Sequence, residues 1–410
     1  MTKIVGTSRP AVRGLLLLGP AFVAAIAYVD PGNVAANLTS GARYGYLLVW
    51  VLVAANLIAA LVQYQSAKLG LVTGRTMPEL LGDRLRPTQR RAFWVQAELV
   101  AGATDLAEVI GGAIALELLF GLPLFLGGLI VGAVSMALLG LQSRFGQRPF
   151  ESVVMGLLAI VAIGFLAGLF VNPPSGPAIL NGLLPRFAGP DSVLLAASML
   201  GATVMPHAIY VHSALARDRH GRAETPDART RLLRATKIDV VVALGIAGLV
   251  NIGMLLLAAV NLRDVENTDS IKGAHDAIGV ALGPGIALVF AIGLLASGLA
   301  STSVGSYAGA TIMAGLLKRR IPIFVRRFVT LIPALIILAV GVDPTWALVI
   351  SQVFLSFGIP FALVPLLRLT NSSDVMGDQA NGGFVRWSLG IIVGLIIVLN
   401  IALIALTIFG

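Results

Sequence analysis

Apolar runs of membrane-crossing length recur from one end of the chain to the other, as in GIIVGLIIVLNIALIALTIF at 390–409. A helix needs roughly 20 such residues to cross a ~30 Å hydrocarbon layer. Continuous runs suit helices, whereas membrane barrels show alternating strands. Hydropathy predicts eleven spans, near 13–41, 45–70, 92–120, 122–141, 151–171, 192–216, 237–261, 278–316, 324–341, 344–367 and 386–409. A composition of 57% hydrophobic and 12% charged residues, with a mean hydropathy of +0.91, excludes a water-soluble fold. No connection is long enough for a second domain, so residues 1–410 read as one all-α integral membrane domain. The longest connections are 172–191, 262–277 and 217–236.

The net charge of +9 has meaning only once the basic residues are located. With a cytoplasmic N-terminus, the tail and the connections on its side of the membrane hold 25 of the 29 Lys and Arg. Only Arg43, Arg186, Arg263 and Lys272 fall outside, so the positive-inside rule selects this orientation. The basic excess is therefore topological, and no nucleic-acid partner is implied. Eleven spans put Gly410 on the outer side of a cell membrane. The mixed charges of RDRHGRAETPDARTR at 217–231 read as a solvated cytoplasmic loop. Lys3, Arg9 and Arg13 before LLLLGPAFVAAIA imitate a secretory signal, but a retained first span is the simpler reading.

Two spans are interrupted at their middles: the first by Tyr28-Val29-Asp30-Pro31-Gly32-Asn33, the sixth by Val204-Met205-Pro206-His207. Proline removes a backbone donor and glycine relaxes the chain, so Pro31, Gly32 and Pro206 are expected to unwind both helices. Freed carbonyls at that depth must line a cavity or bind something, because lipid offers them no partner. Each break opens a set of five spans. This is the layout of an inverted repeat, about 13–171 and 192–367, with an extra helix at 386–409 and a substrate site between discontinuous helices.

The breaks place a carboxylate (Asp30), an amide oxygen (Asn33) and a thioether (Met205) together with carbonyls near Ala27 and Ala202. A carboxylate at the bilayer centre costs at least ~2.5 kcal/mol, which a bound cation offsets. Calcium and magnesium favour all-oxygen shells, whereas borderline transition metals accept sulfur. Mn²⁺ and Fe²⁺ are thus the expected cargo. The chain has no cysteine, so methionine is its only soft ligand.

These segments resemble the Nramp family of divalent-metal transporters, whose first and sixth helices carry Asp-Pro-Gly-Asn and Met-Pro-His. The likeness runs nearly end to end: AYVDPGNVAANLTSGARYGYLLVW at 27–50, GATVMPHAIYVHS at 201–213 and SQVFLSFGIPFALVPL at 351–366. The bacterial proton-dependent manganese branch is the nearest in kind. The resemblance implies a leucine-transporter-like fold and metal ligands from Asp30, Asn33, Met205, Ala27, Ala202 and, in one conformation, Gln352. Ala208 departs from the family pattern, standing where many members have Asn.

The third span carries Glu98, Asp105, Glu108 and Glu117, with Asp105 and Glu108 on one helical face. Acids inside a membrane are candidate proton carriers. Arg326 and Arg327, at the start of the ninth span, are either their partners or ordinary cytoplasmic charges. The resemblance favours pairing, and it gives His207 a proton role beside Asp30. His220 and His275 read as loop residues without a role, and the role of His212 stays open. The expected protein is a proton-coupled importer working by alternating access, with metal and protons as its partners. It needs no resident cofactor, and no obligatory protein partner is evident. A sodium-coupled amino-acid carrier is disfavoured because Asp30 would repel a carboxylate substrate. Met205 speaks against a magnesium carrier. The chain has no HExxH, GxSxG or cysteine nucleophile, so an intramembrane enzyme is also disfavoured.

Overall fold

Proline, the residue that stops a helix from within, here starts most of them. Among the described residues, eleven helices carry it in their first turn, where the missing N–H would have no intrahelical partner in any case. The computed structural model describes residues 19–145, 147–222, 225–263, 265, 266, 268, 270–318 and 322–409. The expected start of the first span near residue 13, the charges Lys3, Arg9 and Arg13, and Gly410 lie outside the described residues.

All regular structure among the described residues is helical. The first span is α1 (Pro20–Ile26), a 3-10 turn (Ala27–Val29) and α2 (Pro31–Tyr44). It is followed by α3 (Val49–Thr73), the short α4 (Met77–Arg84), α5 (Pro87–Phe120), α6 (Leu124–Phe145) and α7 (Gln147–Val171). After α8 (Gly176–Gly182), the sixth span is split into α9 (Pro190–Thr203) and α10 (Pro206–His220). Then come α11 (Pro226–Asn261), α12 (Ile271–Leu282), α13 (Pro284–Leu317), α14 (Ile323–Val340), α15 (Pro344–Asn371), α16 (Ser373–Met376) and α17 (Gly383–Phe409). Counting α9 and α10 as one, eight of these are long and apolar enough to cross a membrane.

Two expectations need correction. The predicted eighth span, 278–316, is cut at Gly283, whose φ of 94° lies outside the helical range. Its first residues belong to α12, an amphipathic helix burying Ile271, Ala274 and Ile278 at spacings of three and four. The predicted loop at 217–231 is mostly helix, since α10 runs to His220 and α11 starts at Pro226. Its charges are partly used in pairing: Arg217 reaches Glu79 at 2.9 Å and Asp218 at 2.8 Å, while Tyr307 on α13 donates to Asp218. Asp83, on α4, is held between Lys318 and Arg75.

α13 lies along α5, α11 against α2 and α3, and α15 against α9, which gathers both breaks into the centre of the bundle. The approach of α5 to the first break depends on Gly111. A Cβ there would come within 2.0 Å of Pro31 Cβ. The segment before the first break is anchored from afar, because α1 has no side-chain cap of its own. Buried Asp239 on α11 instead accepts the N–H groups of Gly19 (3.1 Å) and Ala21 (2.9 Å). Removing that carboxylate leaves two buried donors unpaired, each a cost of ~1–3 kcal/mol. Asp239→Ala is therefore expected to lower the melting temperature in detergent, and an unchanged melting curve would show that the cap is dispensable.

Candidate metal site

At the first break Asp30 adopts an extended conformation, with φ −72° and ψ 165°, and becomes the N-cap of α2. Its Oδ1 accepts the Asn33 N–H at 2.8 Å, satisfying one of the orphan donors that open any helix. Pro31 takes the first helical position. Gly32 is already helical, so its lack of a side chain serves packing more than unwinding. A Cβ at Gly32 would fall 1.8 Å from the Gln352 amide nitrogen. At the second break, Val204 and Met205 leave the helical region and Met205 becomes the N-cap of α10, with Pro206 again at the first helical position.

Asn33 links the two breaks. Its Nδ2 donates to the Tyr28 and Ala202 carbonyls, both at 2.8 Å. From α15, Gln352 reaches Asp30 Oδ2 at 3.4 Å and Ser351 Oγ at 3.2 Å through its Nε2. With both amide nitrogens so used, Asn33 Oδ1 and Gln352 Oε1 are buried and accept no hydrogen bond from the described residues. Asp30, Asn33, Met205 and Gln352 are each 0% exposed, and Ala27 and Ala202 are buried with them. Among the described residues, no three His, Asp or Glu converge as a metal cluster. The donors gathered here are instead one carboxylate, two amide oxygens, backbone carbonyls and, at the break beside Ala202, a thioether.

Several polar residues in this region received no role from the sequence. Asn251 on α11 donates to the Tyr28 carbonyl at 2.8 Å, and Ser297 on α13 donates to the Val29 carbonyl at 2.5 Å. Both carbonyls freed by the 3-10 turn are thereby satisfied within the protein. The Tyr28 hydroxyl accepts from Gln63, whose Oε1 lies 2.8 Å from His212 Nδ1. Of these only Asn251 is a lone polar side chain in an apolar stretch, a signal its sequence offered; Gln63 and Ser297 sit among other polar residues.

Asp105 and Glu108 do share a partner. Arg327 Nη1 lies 2.9 Å from Asp105 and 3.5 Å from Glu108, and all three side chains are fully buried. Arg327 is further held by Ser135 at 3.1 Å and Thr302 at 3.3 Å. Arg326 pairs with Glu98 at 2.7 Å and comes within 3.9 Å of Asp105. Both arginines therefore belong to the interior and leave the tally of cytoplasmic charge. Glu117 stands apart, paired with Lys272 at 2.9 Å near the exposed end of α5. His207 Nδ1 lies 3.2 Å from Thr104 Oγ1, one residue before Asp105, while its Nε2 has no partner among the described residues. The second break is thus joined to the acid-arginine network through α5.

The chain matches the model of the family described as natural resistance-associated macrophage protein-like over residues 21–406. The divalent metal cation transporter MntH of Mycobacterium tuberculosis is 60% identical over 394 residues, covering 96% of this chain and 92% of that protein. A solved manganese transporter of Eremococcus coleocola superposes with a TM-score of 0.87 at 31% identity, over 97% of this chain and 88% of that one. The fold extends further: MhsT, solved with L-phenylalanine, gives a TM-score of 0.58 at 12% identity, covering 95% of this chain and 97% of that one. With its apolar helices, its paired helix breaks and these matches, this chain is a multi-pass membrane protein belonging to the Nramp family.

Proposed function

We propose that the chain imports divalent transition metals, Mn²⁺ and with it Fe²⁺, across the cell membrane together with protons. Its relatives are carriers of divalent metal cations and not enzymes, and the metal is cargo rather than a resident cofactor. In this reading eleven helices cross the bilayer, with the N-terminus inside. Asp30, Asn33, Met205 and the Ala27 and Ala202 carbonyls hold the ion, and Gln352 joins them. What supports the reading most is the pair of buried amide oxygens without hydrogen bonds, Asn33 Oδ1 and Gln352 Oε1, flanking the Asp30 carboxylate. Lone oxygens in a buried site are costly unless something positive shares them.

Protons leave the site through His207 and the α5 acids, with Arg326 and Arg327 balancing the charge of Glu98, Asp105 and Glu108. Alternating access moves the first and sixth spans against the rest, the metal facing one side and then the other. A negative-inside potential favours entry by roughly 2.3 kcal/mol per charge per 100 mV.

Proteoliposomes offered Mn²⁺, Fe²⁺, Cd²⁺, Ca²⁺ and Mg²⁺, with internal pH recorded, test this directly. Uptake of the first three should acidify the lumen. Mn²⁺ entry without acidification would contradict coupling. Met205→Ala should keep Mn²⁺ transport and admit Ca²⁺ or Mg²⁺, because sulfur discriminates against hard ions. Continued exclusion of both alkaline-earth ions would remove the thioether as a filter.

A further inference from the structure

We propose that a groove between α4, the start of α5 and the C-terminal half of α15 binds one anionic phospholipid, its phosphate between Arg84 and Arg368. The groove encloses about 480 Å³ and is walled chiefly by Leu85 and Phe93 on one side and Phe361 and Val364 on the other. Phe361 is 51% exposed. The helix ends around it put the groove at headgroup level, on the side that the proposed orientation makes cytoplasmic.

The shape of α15 leaves this wall uncovered. Pro360 and Pro365 lack the N–H that would bind the carbonyls of Ser356 and Phe361. Those carbonyls are taken elsewhere, by Asn400 Nδ2 of α17 at 2.9 Å and the Tyr210 hydroxyl of α10 at 3.4 Å. The helix is thus held from two other sides, and Phe361 on the groove wall stays half-exposed among the described residues.

Charge selects the occupant. Arg84 makes only a 3.5 Å contact to the Leu80 carbonyl, and among the described residues neither Arg84 nor Arg368 has a carboxylate within ion-pair distance. The neighbouring acids are already engaged: Asp83 by Lys318 and Arg75, and Glu79 by Arg217. Lys318 and Arg75 hold the Asp83 carboxyl down at about 2, so at neutral pH it is a satisfied anion facing other partners. Two guanidiniums without a carboxylate partner among the described residues, on the rim of an apolar trough, call for an anion and a hydrocarbon chain in one molecule. Arginine suits phosphate in particular, through paired N–H donors. A free phosphate would meet the arginines but leave the aromatic walls in water. A zwitterionic lipid would bring an ammonium to a site that already has two cations.

The test is native mass spectrometry of the delipidated full chain in detergent, with phosphatidylglycerol or phosphatidylcholine of identical acyl chains. The wild type should retain one phosphatidylglycerol at least tenfold more strongly than phosphatidylcholine. Arg84→Gln with Arg368→Gln should erase that preference, whereas Arg91→Gln with Arg386→Gln, an equal charge change outside the groove, should leave it intact. Val364→Trp, which fills the trough and keeps the arginines, should weaken phosphatidylglycerol binding. Melting curves of each variant establish that it is folded. Equal retention of the two lipids by the wild type overturns the proposal. So does an unchanged preference in the Arg84/Arg368 variant, or an equal loss in the Arg91/Arg386 variant. Displacement of the lipid by glycerol phosphate at similar concentration would assign the arginines to a soluble phosphate instead.

Discussion

Asp30→Ala should reduce Mn²⁺ uptake to the level of empty liposomes, and Asp30→Asn should do the same while leaving the fold intact. The two variants separate two jobs done by one carboxyl. Oδ1 caps α2 by accepting the Asn33 N–H, and loss of such a cap costs about 0.5–2 kcal/mol. Asparagine caps a helix as well as aspartate does, so Asp30→Asn keeps that bond and removes only the negative charge. A normal melting curve with no Mn²⁺ flux in Asp30→Asn assigns the loss to the charge. Near-normal flux in either variant would remove the centre of the proposed site.

The second large effect concerns Arg327. Its guanidinium is 0% exposed and stands between Asp105 and Glu108, so Arg327→Ala leaves two carboxylates facing each other in a dry interior. Breaking a buried pair by deleting one partner costs about 3–5 kcal/mol. The expected result is a marked fall in melting temperature and, in protein that still folds, Mn²⁺ movement with altered proton flux. Adding Asp105→Asn to Arg327→Ala should recover part of the lost stability, because one of the stranded charges is gone. A double variant no more stable than Arg327→Ala would show that the two side chains do not act as a pair.

How much of this was legible beforehand depended on whether the cause is local. Both helix breaks could be read because proline and its neighbours act within one turn, and the structure puts the non-helical residues at Asp30 and at Val204–Met205. The pairing of Asp105 with Glu108 followed from their spacing on one helix. Partners brought in by tertiary packing could not be read the same way. Asn251, Ser297 and Asp239 bind backbone groups more than 200 residues away. The first two of these satisfy carbonyls that local reasoning would leave free. The burial of Arg326 and Arg327 was open from sequence, since a basic pair at a helix start serves equally well as a cytoplasmic anchor. The cut at Gly283 was missed because hydropathy averages across Gly-Pro-Gly, although the spacing of Ile271, Ala274 and Ile278 was there to be seen.

Anomalous diffraction from crystals grown with Mn²⁺ tests the central claim most directly. The account predicts one strong manganese peak between the two breaks, in direct coordination with both the Asp30 carboxylate and the Met205 sulfur. A peak bound elsewhere in the chain, or one at the breaks that no conformation brings within reach of both side chains, would contradict it.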